Sequence, residues 1–162
     1  MTVTVAASPN EPQRSVKSPG SVLFMCGMNA IRSPMAEVLA KAMLPPGTYV
    51  ASAGVRPGER DPFVDVVLEE IGLTAGRHQP HTLDELEDDY FDMIVTLAPE
   101  AHHAALELTR SMAIDVIYWP TPDPTTARGT REQIVTAYRE VRDHLATLIR
   151  HRLLARSPSR MP

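Results

Sequence analysis

Residues 21–42 read SVLFMC, then GMNAIR, then SPMAEVLAKA, and the fold turns on how this stretch is read. Its opening run of Val, Leu, Phe and Met has the character of a buried strand. The part that follows repeats apolar residues at Met35, Val38, Leu39, Ala42 and Met43, the i, i+3, i+4, i+7, i+8 spacing of one helix face. A short loop therefore joins strand to helix. It begins at Cys26 and ends at Arg32 and Ser33, and Pro34 suits the first helical turn because its missing N–H is not needed there.

Backbone N–H groups of a loop entering a helix converge on one point, and the helix dipole adds positive potential there. Gly27, Met28, Asn29, Ala30, Ile31 and Arg32 thus form a candidate cradle for a phosphate-like anion. Arg32 adds a planar fork that matches two phosphate oxygens. A cysteine at the start of such a loop feels the same field, which favours its thiolate, so Cys26 is the candidate nucleophile. Ser33 can donate its hydroxyl to that sulfur, and Asn29 can brace the loop through its amide. The spacing alone is weak, because Cys followed six residues later by Arg occurs about once in 20 cysteines at ordinary arginine usage. The strand-to-helix setting and the continuation PMAE make it specific. With these residues in hand, CGMNAIRSPMAE resembles the low-molecular-weight protein tyrosine phosphatase family, whose fold also hosts thioredoxin-coupled arsenate reductases.

The composition agrees with one soluble domain: 162 residues, 43% hydrophobic and 22% charged. A net charge of -4 and a pI near 5.8 argue against nucleic acid as a partner. No apolar run approaches the roughly 20 residues of a membrane span, so no membrane partner is expected. The one cysteine allows neither an intramolecular disulfide nor a cysteine-based zinc set, and it suits a reducing compartment. Residues 1–19 lack a signal-peptide pattern and mix Ser, Pro, Asn, Glu, Gln and Lys without periodicity. They read as a disordered N-terminal extension, residues 20–154 as the folded domain, residues 155–162 as a loose C-terminal tail, and the expected location is cytoplasmic.

Along the chain, LPPG at 44–47 stops the first helix. TYVAS at 48–52 is the second strand, and in a parallel sheet its carboxyl end brings Ser52 near the Cys26 loop. Asp61-Pro62 reads as an N-cap and first-turn proline for a helix through Ile71, with Gly72 ending it. The acidic residues from Asp84 to Asp89 read as a solvated face. His78 and His81 have a spacing too weak for a metal site, and no metal is assigned. DMIVTLA at 92–98 is the third strand, Pro99 opens a helix to Thr109, and IDVIYW at 114–119 is the fourth strand. PTPDPTTARG follows. Asp123-Pro124 there lies beyond a strand's carboxyl end, on the Cys26 edge of the sheet, which makes Asp123 the candidate acid. Asp61 is the rival, although helix capping suffices to explain it. Thr130 with Gln133 forms a capping box for the last helix, whose apolar face runs Ile134, Tyr138, Val141, Leu145, Leu148 and Ile149.

Alternating strands and helices give an α/β, three-layer domain with a four-stranded parallel sheet and helices on both faces. The resemblance implies the strand order 2-1-3-4. It also implies that Asp123 is the general acid of an Asp-Pro loop, and that Ser52 and His78 brace Asn29. The implied activity is cysteine-dependent phosphomonoester hydrolysis through a phosphocysteine, with no cofactor or metal. A phosphorylated protein or a small phosphomonoester would be the substrate, and phosphate or arsenate a ligand. Three features depart from the family. His81 stands where the family has arginine, Thr125, Thr126 and VRPGER at 55–60 stand where phosphotyrosine enzymes carry aromatic walls, and Ile31 replaces a shielding second cysteine. Two other readings stay open: arsenate reduction with an external thiol, and a non-catalytic phosphate-binding regulator.

Overall fold

Side chains of successive strand residues point to opposite faces, and along the first strand both faces are covered. In the computed structural model, which describes residues 19–87 and 90–154, this strand (β1) is Ser21–Cys26 and Val22 to Cys26 are all buried. It is followed by α1 (Arg32–Met43), β2 (Tyr49–Gly54), α2 (Pro62–Glu69), β3 (Met93–Thr96), α3 (Pro99–Leu108), β4 (Asp115–Tyr118) and α4 (Arg131–Arg152). The four strands form one parallel sheet in the order β2-β1-β3-β4, as expected. The expected N-terminal extension, apart from Pro19, and the C-terminal tail lie outside the described residues, as do Asp88 and Asp89 of the acidic cluster.

Val22 and Phe24 join a core with Met35, Leu39, Val67, Tyr138, Leu145 and Ile149, which places α1, α2 and α4 on one face. Leu23 and Met25 join Ala53, Phe91, Ile94, Ala101 and Ala105, which places α3 on the other. Burial of apolar surface on both sides explains why the central strand reads as a continuous apolar run rather than an alternating one. No helix among the described residues is long and apolar enough to cross a membrane.

Element limits move by one to three residues from those expected. β2 extends to Gly54 because Cys26 pairs with Gly54 in the ladder and Gly54 bridges onward to Thr82. α2 stops at Glu69, and Gly72, at φ 78, turns the chain just beyond it. A 3-10 turn at Leu83–Glu85, closed by a Thr82/Glu85 capping box, was not anticipated. On α4 the buried face includes Val135 and Arg142 beside Tyr138, Val141, Leu145 and Ile149. Arg142 is tolerated there because its guanidinium donates to Val67 O and to Glu70, both at 2.8 Å. Arg139 also holds Glu70, whose carboxyl sits down at about 2 through the hydrogen bond from Arg139 and the second arginine.

Candidate active site

Cys26 ends β1, and its side chain is buried at 2% exposure. Its Sγ lies 2.9 Å from Ser33 Oγ, and the Ser33 N–H points at the same sulfur from 3.4 Å. Ser33 Oγ also accepts a hydrogen bond from Asn29 Nδ2 at 2.9 Å. That hydroxyl keeps a proton and a second lone pair, so either Ser33 Oγ or Cys26 Sγ can donate across the 2.9 Å contact. Ile31, the N-cap of α1, supplies no side-chain hydrogen bond to the first turn; there the Ser33 N–H is taken by the sulfur, Pro34 has none, and Met35 N–H donates to Ile31 O at 3.1 Å.

The loop from Gly27 to Ile31 takes its shape from Asn29, at φ 55 the one non-glycine residue in the left-handed region among those described. Such a conformation persists only where surrounding contacts over-determine it, and Asn29 has them. Its Nδ2 donates to Ser33 Oγ and to Ser52 Oγ, each at 2.9 Å. Its Oδ1 accepts the His81 N–H at 3.1 Å, and its backbone carbonyl accepts from His78 Nε2 at 3.2 Å. Burial holds the His78 imidazole below its ordinary value, which suits a neutral ring with its proton on Nε2. Ser52 in turn donates to Glu37 Oε1 at 2.5 Å, and Glu37 pairs with Lys41 at 2.7 Å. A chain of polar contacts thus runs from α1's surface to the sulfur. The loop is also pressed against the end of β2. Gly27 O accepts from Val55 and Arg56 N–H at 2.8 and 2.9 Å. A Cβ on Gly54 would stand 2.7 Å from the Met28 carbonyl carbon, and one on Gly58 2.6 Å from Met28 Cβ.

Arg32 opens α1 and donates from Nη1 to Thr121 O at 3.0 Å, which ties the cradle to the loop that carries Asp123. Asp123 caps a 3-10 turn at Pro124–Thr126. Its Oδ1 accepts from Thr125 N at 3.0 Å and from Thr125 Oγ1 at 2.7 Å. Partial removal of water pushes the Asp123 carboxyl up, but the two Thr125 donors and the charge of Arg32 outweigh this and leave it below its ordinary value. Oδ1 is thus the doubly engaged oxygen of this carboxylate. Asp61 is arranged differently. One oxygen caps α2 through Phe63 N at 2.9 Å, and the other accepts from Tyr138 OH at 2.8 Å.

Cys26, Ser33, Asn29, Ser52 and His78 are therefore gathered in one hydrogen-bonded network, while Arg32 bonds instead to Thr121 O and reaches Asp123 through its charge. Asp61 is held by α2 and α4 instead. Sequence reasoning missed Glu37, Thr121, Thr125, Gly58 and the double contact of His81. Most of these act through backbone atoms or across long sequence gaps, which leave no local pattern. His78 aims one ring nitrogen and His81 both at carbonyl oxygens, and among the described residues no three His, Cys, Asp or Glu side chains are grouped so as to hold a metal ion.

Comparison with known proteins gives this geometry a family. The sequence model described as low molecular weight phosphotyrosine protein phosphatase matches residues 21–156. An arsenate reductase of Halalkalibacterium halodurans is 30% identical over 129 residues, which cover 80% of this chain and 91% of that protein. The crystal structure of arsenate reductase from Archaeoglobus fulgidus is 33% identical, with a TM-score of 0.58 over 80% of this chain and 99% of that one. The YwlE arginine phosphatase from Geobacillus stearothermophilus is 26% identical, with a TM-score of 0.68 over 82% and 89%. A family-model match across nearly the whole described chain shows that this protein belongs to the low molecular weight phosphotyrosine protein phosphatase family.

Proposed function

We propose that this chain is a cysteine-dependent phosphomonoester hydrolase acting through a phosphocysteine. One observation supports hydrolysis over reduction: the chain holds a single cysteine, whereas an intramolecular thiol relay needs more than one. In the proposed reaction Cys26 Sγ attacks phosphorus in line, and an S–P bond forms as the P–O bond to the leaving group breaks. Amides of residues 27–32 and the Arg32 fork hold the equatorial oxygens. Asp123 gives its proton to the departing oxygen. Its carboxylate then takes a proton from water, the water oxygen attacks phosphorus, and the S–P bond breaks to return the thiolate and release phosphate. Asn29, Ser33, Ser52 and His78 keep the loop in this geometry.

The substrate class is a phosphorylated protein or a small phosphomonoester. The rim near Gly27 carries exposed Met28 and Val55 and the Arg56–Glu100 ion pair, 2.6 Å long, where aromatic walls would suit a phenyl ring. Arsenate reduction is the second reading, favoured by the names of the relatives above; with Cys26 alone it requires an external thiol as resolving partner. The full chain assayed for phosphate release from para-nitrophenyl phosphate, beside thiol-dependent arsenite formation, separates the two. Hydrolysis alone supports the proposal. Arsenite formation alone favours reduction, and phosphate binding without either reaction points to a regulator. Cys26→Ser is expected to abolish hydrolysis while leaving vanadate binding measurable, because the oxygen nucleophile is far weaker and the cradle remains. Substantial turnover in that variant would remove Cys26 from its role.

A further inference from the structure

His81 faces two carbonyl groups at once. Its Nε2 lies 2.6 Å from Ser52 O and its Nδ1 3.0 Å from Gln79 O. A carbonyl oxygen only accepts, and a neutral imidazole has one N–H and one lone pair. Only the doubly protonated ring serves both contacts. The backbone of the same residue is equally committed, since its N–H donates to Asn29 Oδ1 at 3.1 Å and its carbonyl accepts from Gly54 N at 2.8 Å. Ring, N–H and carbonyl together fasten the 79–82 segment along the outer edge of β2, the edge strand of the sheet, and present one donor to the asparagine that shapes the cradle.

We propose that His81 is a positioning residue that works as an imidazolium clamp. With both ring nitrogens protonated it holds the Gln79–His81 turn against β2 and keeps its own N–H on Asn29 Oδ1. Loss of one ring proton sets a nitrogen lone pair against a carbonyl oxygen, so the turn relaxes and Asn29 loses that brace. The inference rests on the phosphoryl-transfer reading of the site and adds to it a dependence of cradle geometry on the charge at position 81.

The charged surroundings admit such a cation. Burial shifts the His78 ring, 5.6 Å away between centroids, below its ordinary value and so disfavours a second cation there. From α1, the Glu37 carboxylate sits on the side chain of Ser52, the residue whose carbonyl receives Nε2, and Lys41 offsets part of its charge. Arg60 donates to His78 O at 2.7 Å but is paired with Asp65 of α2 at 2.8 Å. On the far side of the segment Glu85 accepts from Thr82 N at 2.8 Å.

The test is a pH titration of the full chain by NMR, following the His81 ring nitrogens and the Asn29 side-chain amide together, in the native sequence and in His81→Arg and His81→Gln. Arginine keeps several donors and its charge at every pH. The Asn29 amide is expected to titrate with the His81 ring in the native chain, and to stay at its low-pH position throughout in His81→Arg. With para-nitrophenyl phosphate, kcat/KM of His81→Arg should stay within about threefold of the native value at low pH and lack the accompanying limb of the pH profile. His81→Gln should be lower by roughly tenfold, as for displaced positioning groups generally. An Asn29 amide that titrates unchanged in His81→Arg would assign the effect to His78 and overturn the proposal. So would an Asn29 amide that stays flat while the native His81 ring titrates. The NMR coupling does not depend on turnover: if it holds in a chain that hydrolyses nothing, the clamp stands and the hydrolase reading alone fails.

Discussion

Two aspartates compete for the role of acid, and the structure predicts opposite phenotypes for their asparagine variants. In Asp123→Asn the new side chain keeps an oxygen for the Thr125 N–H and hydroxyl, so the 3-10 turn should persist and only the transferable proton is lost. The first chemical step with a phenyl or alkyl leaving group should slow by roughly 100-fold or more, the usual scale for general acid catalysis. That corresponds to about 2.7 kcal/mol of lost transition-state stabilisation at 1.36 kcal/mol per tenfold. The penalty should shrink as leaving groups improve, because a stable anion departs without a proton. Asp61→Asn can still cap α2 through its oxygen, but its amide nitrogen cannot accept the proton of Tyr138 OH. Loss of that charge-assisted bond should cost about 1–3 kcal/mol of stability while the rate stays near native. The assay is kcat/KM over a series of aryl phosphates of graded leaving-group acidity, with urea unfolding of each variant alongside. A steepened leaving-group dependence in Asp61→Asn, together with its absence in Asp123→Asn, would refute the assignment of the acid.

Arg32→Lys should lower kcat/KM by at least about 100-fold, since a point charge replaces neither the planar fork on the substrate nor its bond to Thr121 O; activity within a few fold of native would make Arg32 a bystander. Thr125→Val removes the 2.7 Å donor that helps hold the Asp123 carboxyl down. The acid should then keep its proton to higher pH, so the basic limb of kcat/KM for a poor leaving group should move upward; a limb that stays or moves downward contradicts this account of Asp123. Glu70, lowered to about 2 from its ordinary 4.5 by Arg139 and Arg142, stabilises the native state fully above the unfolded value and loses that contribution as pH falls toward the folded one. Glu70→Gln should therefore flatten the dependence of Tm on pH between about 4.5 and 2, as linkage requires; an unchanged slope would show that the pair of arginines contributes nothing there.

The β1-loop-α1 unit was legible because hydrophobic period changes abruptly across it and Pro34 fixes the helix start, and the capping box at Thr130 fixes another boundary as locally. The parallel sheet followed from alternation alone, and its order from family likeness. What escaped depends on distance in sequence. Tyr138 reaches Asp61 across 77 positions and Arg32 reaches Thr121 across 89, and no window of residues carries either contact. Arg142 reads as a surface charge in any helical wheel, yet its donors find Val67 O and Glu70 inside the seam between α2 and α4. The left-handed turn at Asn29 was invisible because asparagine occupies several backbone regions, and only its four partners select this one. For the same reason the substitution of histidine at 81 could be seen, but the two carbonyl groups waiting for it could not.

Asn29 is joined by several stretches of the chain: Ser33 from the first turn of α1, Ser52 from β2, and His78 and His81 from the segment before β3. Such a junction exists in the native chain and has no counterpart when the chain is unfolded. An oxyanion seated against it binds the native state alone, so mass action converts occupancy into resistance to denaturation: free anion at 100 times its Kd adds about 2.7 kcal/mol. That is a large share of the 5–15 kcal/mol that holds a typical domain together. If the cradle takes inorganic phosphate as proposed, the amount of that ion around this protein would set how much of it stays folded as well as how much of it is free to react.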